Sequence, residues 1–107
     1  MERIKKMEKL KMMLKEMKNR PGVYLGSKSF SLLVPYVDGY YQAMNDLSEK
    51  KYYFWREFQE FLLENHPEIF AKSYWGWQEA IPKNTSSEAE AFDYFFELLE
   101  EFWNEKL

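Results

Sequence analysis

Apolar residues recur at helical spacing along most of this chain. Ile4, Met7, Leu10, Met13 or Leu14, and Met17 step by three and four residues, which is one face of a 3.6-residue period. Lys and Glu fill the other positions, so a helix is predicted over residues 2–18. A second stripe runs through Phe30, Leu33, Val34, Val37, Tyr41, Met44 and Leu47, with Ser27 or Ser29 available as its cap. A third helix is predicted over residues 50–65, burying Phe54, Trp55, Phe58, Phe61 and Leu62 and ending at Asn65-His66-Pro67. The last helix carries Phe92, Phe95, Phe96, Leu99, Phe102 and Trp103. It is introduced by two overlapping capping boxes, Thr85 to Glu88 and Ser87 to Glu90.

Between the third and last helices the pattern is shorter. Pro67 opens a helical turn through Phe70. Ser73 is placed to cap a short helix carrying Tyr74, Trp75, Trp77 and Ile81, stopped at Pro82. No strand alternation of useful length occurs, and no internal repeat. The expectation is an all-α, single-domain bundle of four main helices plus one short helix, covering residues 1–107.

The stretch Arg20-Pro21-Gly22-Val23-Tyr24-Leu25-Gly26 breaks this regularity. Pro21 fixes its own φ and moves Arg20 out of the helical region, so the first helix should stop here. Gly22 and Gly26 tolerate positive φ. Val23-Tyr24-Leu25 suits an extended segment laid over an apolar surface. Two readings stand: a connector between helices, or a loop whose Arg20 and glycine backbone contact a ligand or partner. Pro35 and Gly39 interrupt the second stripe. Pro35 suggests a kink or the true helix start, and Gly39 a close approach by another backbone or ring.

Composition narrows the function. The chain has 107 residues and no cysteine, so disulfides and thiolate metal sites are excluded. No apolar run approaches a membrane span, and no signal-like apolar core follows the basic start Met1 to Lys6. A cytoplasmic location is expected. Nine Phe, eight Tyr and four Trp are many for one small core, and surplus Tyr and Trp favour an interface. Trp75 and Trp77 are either a plug closing one end of the bundle or an exposed hot spot.

Charge is unevenly spread. Residues 1–20 hold eight Lys/Arg against three Glu, while residues 84–107 hold one Lys against seven acids. The two end helices could therefore attract one another across their rims, each exposed pair contributing only about 0–1 kcal/mol. The basic first helix could also suit nucleic acid or a membrane surface, but it has no Trp or Phe to anchor in lipid and no aromatic for base stacking. His66, the single histidine, has no partner spacing for a metal or a triad and reads as a helix-end cap. Asn84-Thr85-Ser86 matches a glycosylation sequon and reads instead as a cap. No catalytic residues and no cofactor are indicated.

The segment Arg20 to Gly26 resembles the R-P-G-M-Y-I-G signature of the gyrase B and topoisomerase ATPase family. In that alignment the family's catalytic glutamate falls on Pro35 and its magnesium-binding asparagine on Gly39. Neither side chain can do that chemistry, and the later D-x-G-x-G nucleotide loop is absent. The chain also looks like a loosely defined group of small bacterial proteins. They share R-P-G-x-Y-[IL]-G, a helix ending near D-G-Y and an acidic, Phe-rich last helix. Arg20 to Gly26, Ser29 to Tyr40 and Ala91 to Phe102 carry that likeness. It implies a cytosolic bacterial protein, of a group in which some members sit beside toxins as immunity or antitoxin partners.

The leading expectation is a non-enzymatic protein-interaction module whose partner is another protein, with no specific nucleic acid and no membrane span. The alternative is a small-ligand or nucleotide site on the Arg20–Gly26 loop, in a pocket with Tyr24 and Tyr40. The candidate binding residues are Arg20, Gly22, Tyr24, Gly26, Asp38, Tyr40, Trp75 and Trp77.

Overall fold

A computed structural model describes residues 2–47, 49–72 and 76–106. They form seven helices in the order α1 (Glu2–Asn19), α2 (Pro21–Leu25), α3 (Phe30–Asp46), α4 (Phe54–Asn65), α5 (Pro67–Phe70), α6 (Trp77–Lys83) and α7 (Glu88–Lys106). The chain is all-α, and the four long helices are those the periodicity predicts. The expectation of one short helix is corrected to three among the described residues. The missed one is α2. Pro21 opens it rather than preceding an extended strand, because a proline at the first helical position has a suitable φ and needs no donor. Val23-Tyr24-Leu25 is therefore helical. The third long helix also starts later than residue 50, at Phe54. Ser73, Tyr74 and Trp75 lie outside the described residues.

The caps explain where the last helices begin and end. Ser29 accepts the Leu32 N–H at 3.2 Å and opens α3. That rules out Pro35 as the helix start; Pro35 lies inside α3 on its exposed side. The first of the two capping boxes does not form. Asn84 Nδ2 donates to the Ala80 carbonyl at 2.8 Å and Thr85 Oγ1 to the Ile81 carbonyl at 2.8 Å, so both close α6. Pro82 does not stop α6, which runs one residue past it. Ser87 is the residue that opens α7, accepting the Glu90 N–H at 3.0 Å.

The core is organised around α7. Its stripe is buried throughout, and Phe95 meets a ring from each of three helices. The centroid separations are 6.1 Å to Phe30 of α3, 5.5 Å to Phe58 of α4 and 5.5 Å to Trp77 of α6. Edge-to-face and offset ring pairs at these distances contribute about 0.5–1.5 kcal/mol each beyond the area they bury. Trp77 is only 3% exposed and belongs to this cluster. Most of the aromatic surplus is thus absorbed inside. From α1, Met7, Leu10, Leu14 and Met17 are buried against it; Leu14 takes the position left open between Met13 and Leu14, and Ile4 is exposed.

The two ends of the charge gradient do face each other. Lys11, Leu14, Lys15 and Lys18 of α1 line a shallow groove with Phe96, Leu99, Glu100 and Trp103 of α7. Lys18 and Glu100 approach to 3.9 Å there, both exposed.

Candidate functional site

The α3 helix has two apolar lines. One is the buried line of Phe30, Leu33 and Val37, continued by half-buried Val34, Tyr41 and Met44. The other is Leu32, Tyr36, Tyr40 and Leu47, which runs beside the first along the same helix and is exposed. The periodicity places Leu47 in the buried stripe. It sits instead at the end of α3 and is 90% exposed, because two turns after Tyr40 it returns to the exposed line.

The first turns of α1 lie beside this second line. Lys5, Lys6 and Lys9 border a groove of about 430 Å³ whose floor is Tyr40, Ala43, Met44 and Leu47. Lys6 is buried, 5% exposed, and serves the fold. Its ammonium donates to Asn45 Oδ1 at 3.3 Å and to the Lys50 carbonyl. Asn45 is itself buried and reads the backbone of Tyr52 in both directions: Oδ1 accepts the Tyr52 N–H at 2.9 Å and Nδ2 donates to the Tyr52 carbonyl at 2.9 Å. This clasp ties α1 to the chain after α3 and fixes one wall of the groove. Lys5 and Lys9 are exposed and engage no carboxylate among the described residues.

The remaining candidates are scattered. Arg20 is exposed, with its backbone N–H bonded to the Glu16 carbonyl at 2.9 Å and its carbonyl accepting from Val23 at 3.1 Å. Gly22 lies within α2. Gly26 ends α2 at φ 82°, donating its N–H to the Gly22 carbonyl at 3.1 Å. Tyr24 packs edge-on against Tyr36 with centroids 6.0 Å apart. The α2 segment thus buttresses the exposed line of α3, and it lines none of the four concave surfaces described for this protein. None of these four surfaces brings Arg20, Tyr24 and Tyr40 together.

Asp38 is a structural acceptor. Oδ1 takes the Trp55 indole N–H at 3.0 Å and Oδ2 the Gln42 amide at 2.9 Å. Partial burial, and next the charge of Asp38, push the neighbouring Tyr41 hydroxyl above its ordinary pKa. Trp77 is in the core, and Trp75 lies outside the described residues. Of the sequence candidates among the described residues, only Tyr40 lines the groove.

Gly39 has no close neighbour. A Cβ built on it meets nothing within 4 Å, so the expected close approach is not made by any of the described residues.

The acidic side is already partly engaged. Asp93 pairs with Lys28 at 3.0 Å, and Glu101 meets His66 Nε2 at 2.8 Å. His66 ends α4, its backbone N–H donating to the Leu62 carbonyl at 2.8 Å. A second contact unites two helix starts. The Glu88 carboxylate accepts from the Ser31 hydroxyl at 2.7 Å, the Ser31 N–H at 2.8 Å and the Ser29 hydroxyl at 3.0 Å. The side-chain bond from Ser31, then its backbone N–H, hold the Glu88 carboxyl below its ordinary pKa. Among the described residues no group of three or more His, Asp or Glu is placed to hold a metal ion. No described helix is long and apolar enough to cross a membrane.

The sequence reading missed Lys5, Lys9, Ala43 and Met44 as neighbours. A signal was present: Leu32, Tyr36, Tyr40 and Leu47 make a second helical-period line on a helix that already has a buried one. The lysines opposite it depend on how α1 packs, which no local pattern reveals. Comparison with protein-family models, curated proteins and solved structures finds no match to this chain.

Proposed function

We propose that this protein is a non-enzymatic interaction module that acts by binding another protein, in the manner of an immunity or antitoxin partner. The observation that carries this reading is the exposed line Leu32, Tyr36, Tyr40 and Leu47 alongside the lysine-bordered groove. Large apolar residues gathered on one helix face, with tyrosines among them, are the composition of an interface rather than of a solvated helix. The resemblance to small immunity-type proteins through Arg20 to Gly26 agrees with it. In this chain that segment supports the face from behind, with Tyr24 against Tyr36. The acidic last helix offers a weaker surface for a basic partner, since Asp93, Glu100 and Glu101 already have local partners.

The test uses tagged wild type, a Tyr40→Glu/Leu47→Glu variant and a control, Glu60→Gln, at an exposed α4 position outside the groove, all with matching helical circular dichroism. A protein captured from the native host is purified and titrated against all three. Loss of at least about tenfold in affinity in the first variant alone supports the reading, as expected for truncating a hot spot. No specific partner, or equal binding by all three, overturns it.

A further inference from the structure

We infer that the occupant of the α1/α3 groove is an acidic amphipathic helix of a partner protein, its apolar side on Tyr40, Ala43, Met44 and Leu47 and its carboxylates on Lys5 and Lys9. The inference rests on the interaction reading above and names the partner's chemistry. Helix-in-groove docking needs an apolar floor, a wall on one side and room along the axis. The floor is α3, the wall is α1, and the exposed line from Leu32 to Leu47 extends the track beyond the groove itself. From Leu32 to Met44 that track is about 18 Å long at 1.5 Å per residue, some three turns of a docked helix.

Charge selects the occupant. The first twenty residues carry eight Lys/Arg against three Glu. Lys5 and Lys9 lie one turn apart, exposed and without a carboxylate among the described residues, so acids one turn apart on the partner match them. A second folded copy cannot supply this helix. Its own acidic helices, α4 and α7, bury their apolar stripes, including Phe58, Phe61, Phe95 and Phe102. A nucleic acid would meet the lysines but find aliphatic Ala43, Met44 and Leu47 over most of the groove floor, with Tyr40 the one ring among the groove's lining residues.

The probes are two designed helical peptides with one identical leucine stripe, one with glutamates on its polar side and one with lysines. Each is titrated against the full chain by fluorescence anisotropy, and backbone amide shifts map the contact. The acidic peptide should bind about tenfold or more tightly than the basic one at low salt, and lose affinity as salt rises. Its shifts should centre on Lys5, Lys9, Tyr40 and Met44. A Lys5→Glu/Lys9→Glu variant should reverse the preference, which misfolding would not do. Equal affinity for both peptides, shifts on another face, or equally tight binding of the chain to bare phosphatidylglycerol vesicles overturns the inference. Failure of both peptides while wild type still holds its captured partner overturns the acidic-helix occupant and leaves the interaction reading standing.

Discussion

The first and last helices are almost equal in length, 18 and 19 residues, and are built from opposite materials. The α7 helix presents Phe92, Phe95, Phe96, Phe102 and Trp103 to the core, rigid rings that meet α3, α4 and α6. The α1 helix presents Met7, Leu10, Leu14 and Met17, with flexible thioethers at both ends. Rings with two torsions specify one packing geometry, whereas methionines accept several. The difference assigns tasks. The last helix fixes the bundle, and the first covers its flank while leaving a lysine-bordered edge open beside α3.

If that division is right, the two helices should differ in what a deletion costs. Phe95→Ala removes a ring touched from three helices and should cost about 3–5 kcal/mol. Met7→Ala should sit at the low end of its class, about 2 kcal/mol, since a flank built of flexible aliphatic and thioether side chains relaxes around a deletion more readily than packed rings do. Urea unfolding of both variants, followed by circular dichroism, measures the gap. Equal costs would mean that α1 packs into the core as tightly as α7 does, and the comparison would fail.

A smaller effect separates the helix starts. Glu88 opens α7 and also receives two donors from Ser31 and one from Ser29 at the start of α3. The contact joins the last helix to the start of the central one, whereas α1 is joined to the far end of that helix through Lys6 and Asn45. Glu88→Gln should cost about 1 kcal/mol at pH 7, the usual scale of a lost cap. The sign of its pH dependence follows from the lowered pKa in the folded state. The carboxylate's contribution is complete above the ordinary glutamate range, near pH 4.5, and is lost as pH falls through the depressed folded value. The melting temperatures of wild type and variant should therefore differ most at neutral pH and converge once acidification passes below the depressed folded value. A gap independent of pH would show that shape, not charge, joins the two helices.

These contrasts also mark how far the sequence could be read. The stripe Phe92 to Trp103 was legible because an aromatic period of 3.6 has one packing solution, and Ser29 and Ser87 were legible as caps because their neighbours start abruptly. The α2 turn was not, since Pro21 is equally suited to ending one helix and opening the next. Trp77 could be a plug or a hot spot by composition alone; burial against Phe58 and Phe95 decides for the core. The groove was least legible. Tyr40 was identifiable, but Lys5 and Lys9 reach it only through the packing of α1, and Lys6 looks like any surface lysine until Asn45 closes over it.

The smallest effect concerns the open edge itself. Gly39 lies in the interior of α3 on its exposed side, three residues after Tyr36 and one before Tyr40. Among the described residues, nothing beyond the helix's own backbone and the adjacent residues comes within 4 Å of a Cβ placed there. Glycine in such a position costs backbone entropy without steric return, so Gly39→Ala should raise stability by about 0.5–1 kcal/mol. Gly39 does not line the groove, so the acidic peptide should bind this variant as it binds wild type. Thermal melting and the same anisotropy titration test both halves. A rise in stability with weakened binding would place the partner's backbone directly over Gly39 and shift the docking track toward Leu32. A fall in stability would mean that the outer side of α3 is already packed, and the contrast between a tightly packed α7 and an open α1/α3 edge would have to be abandoned.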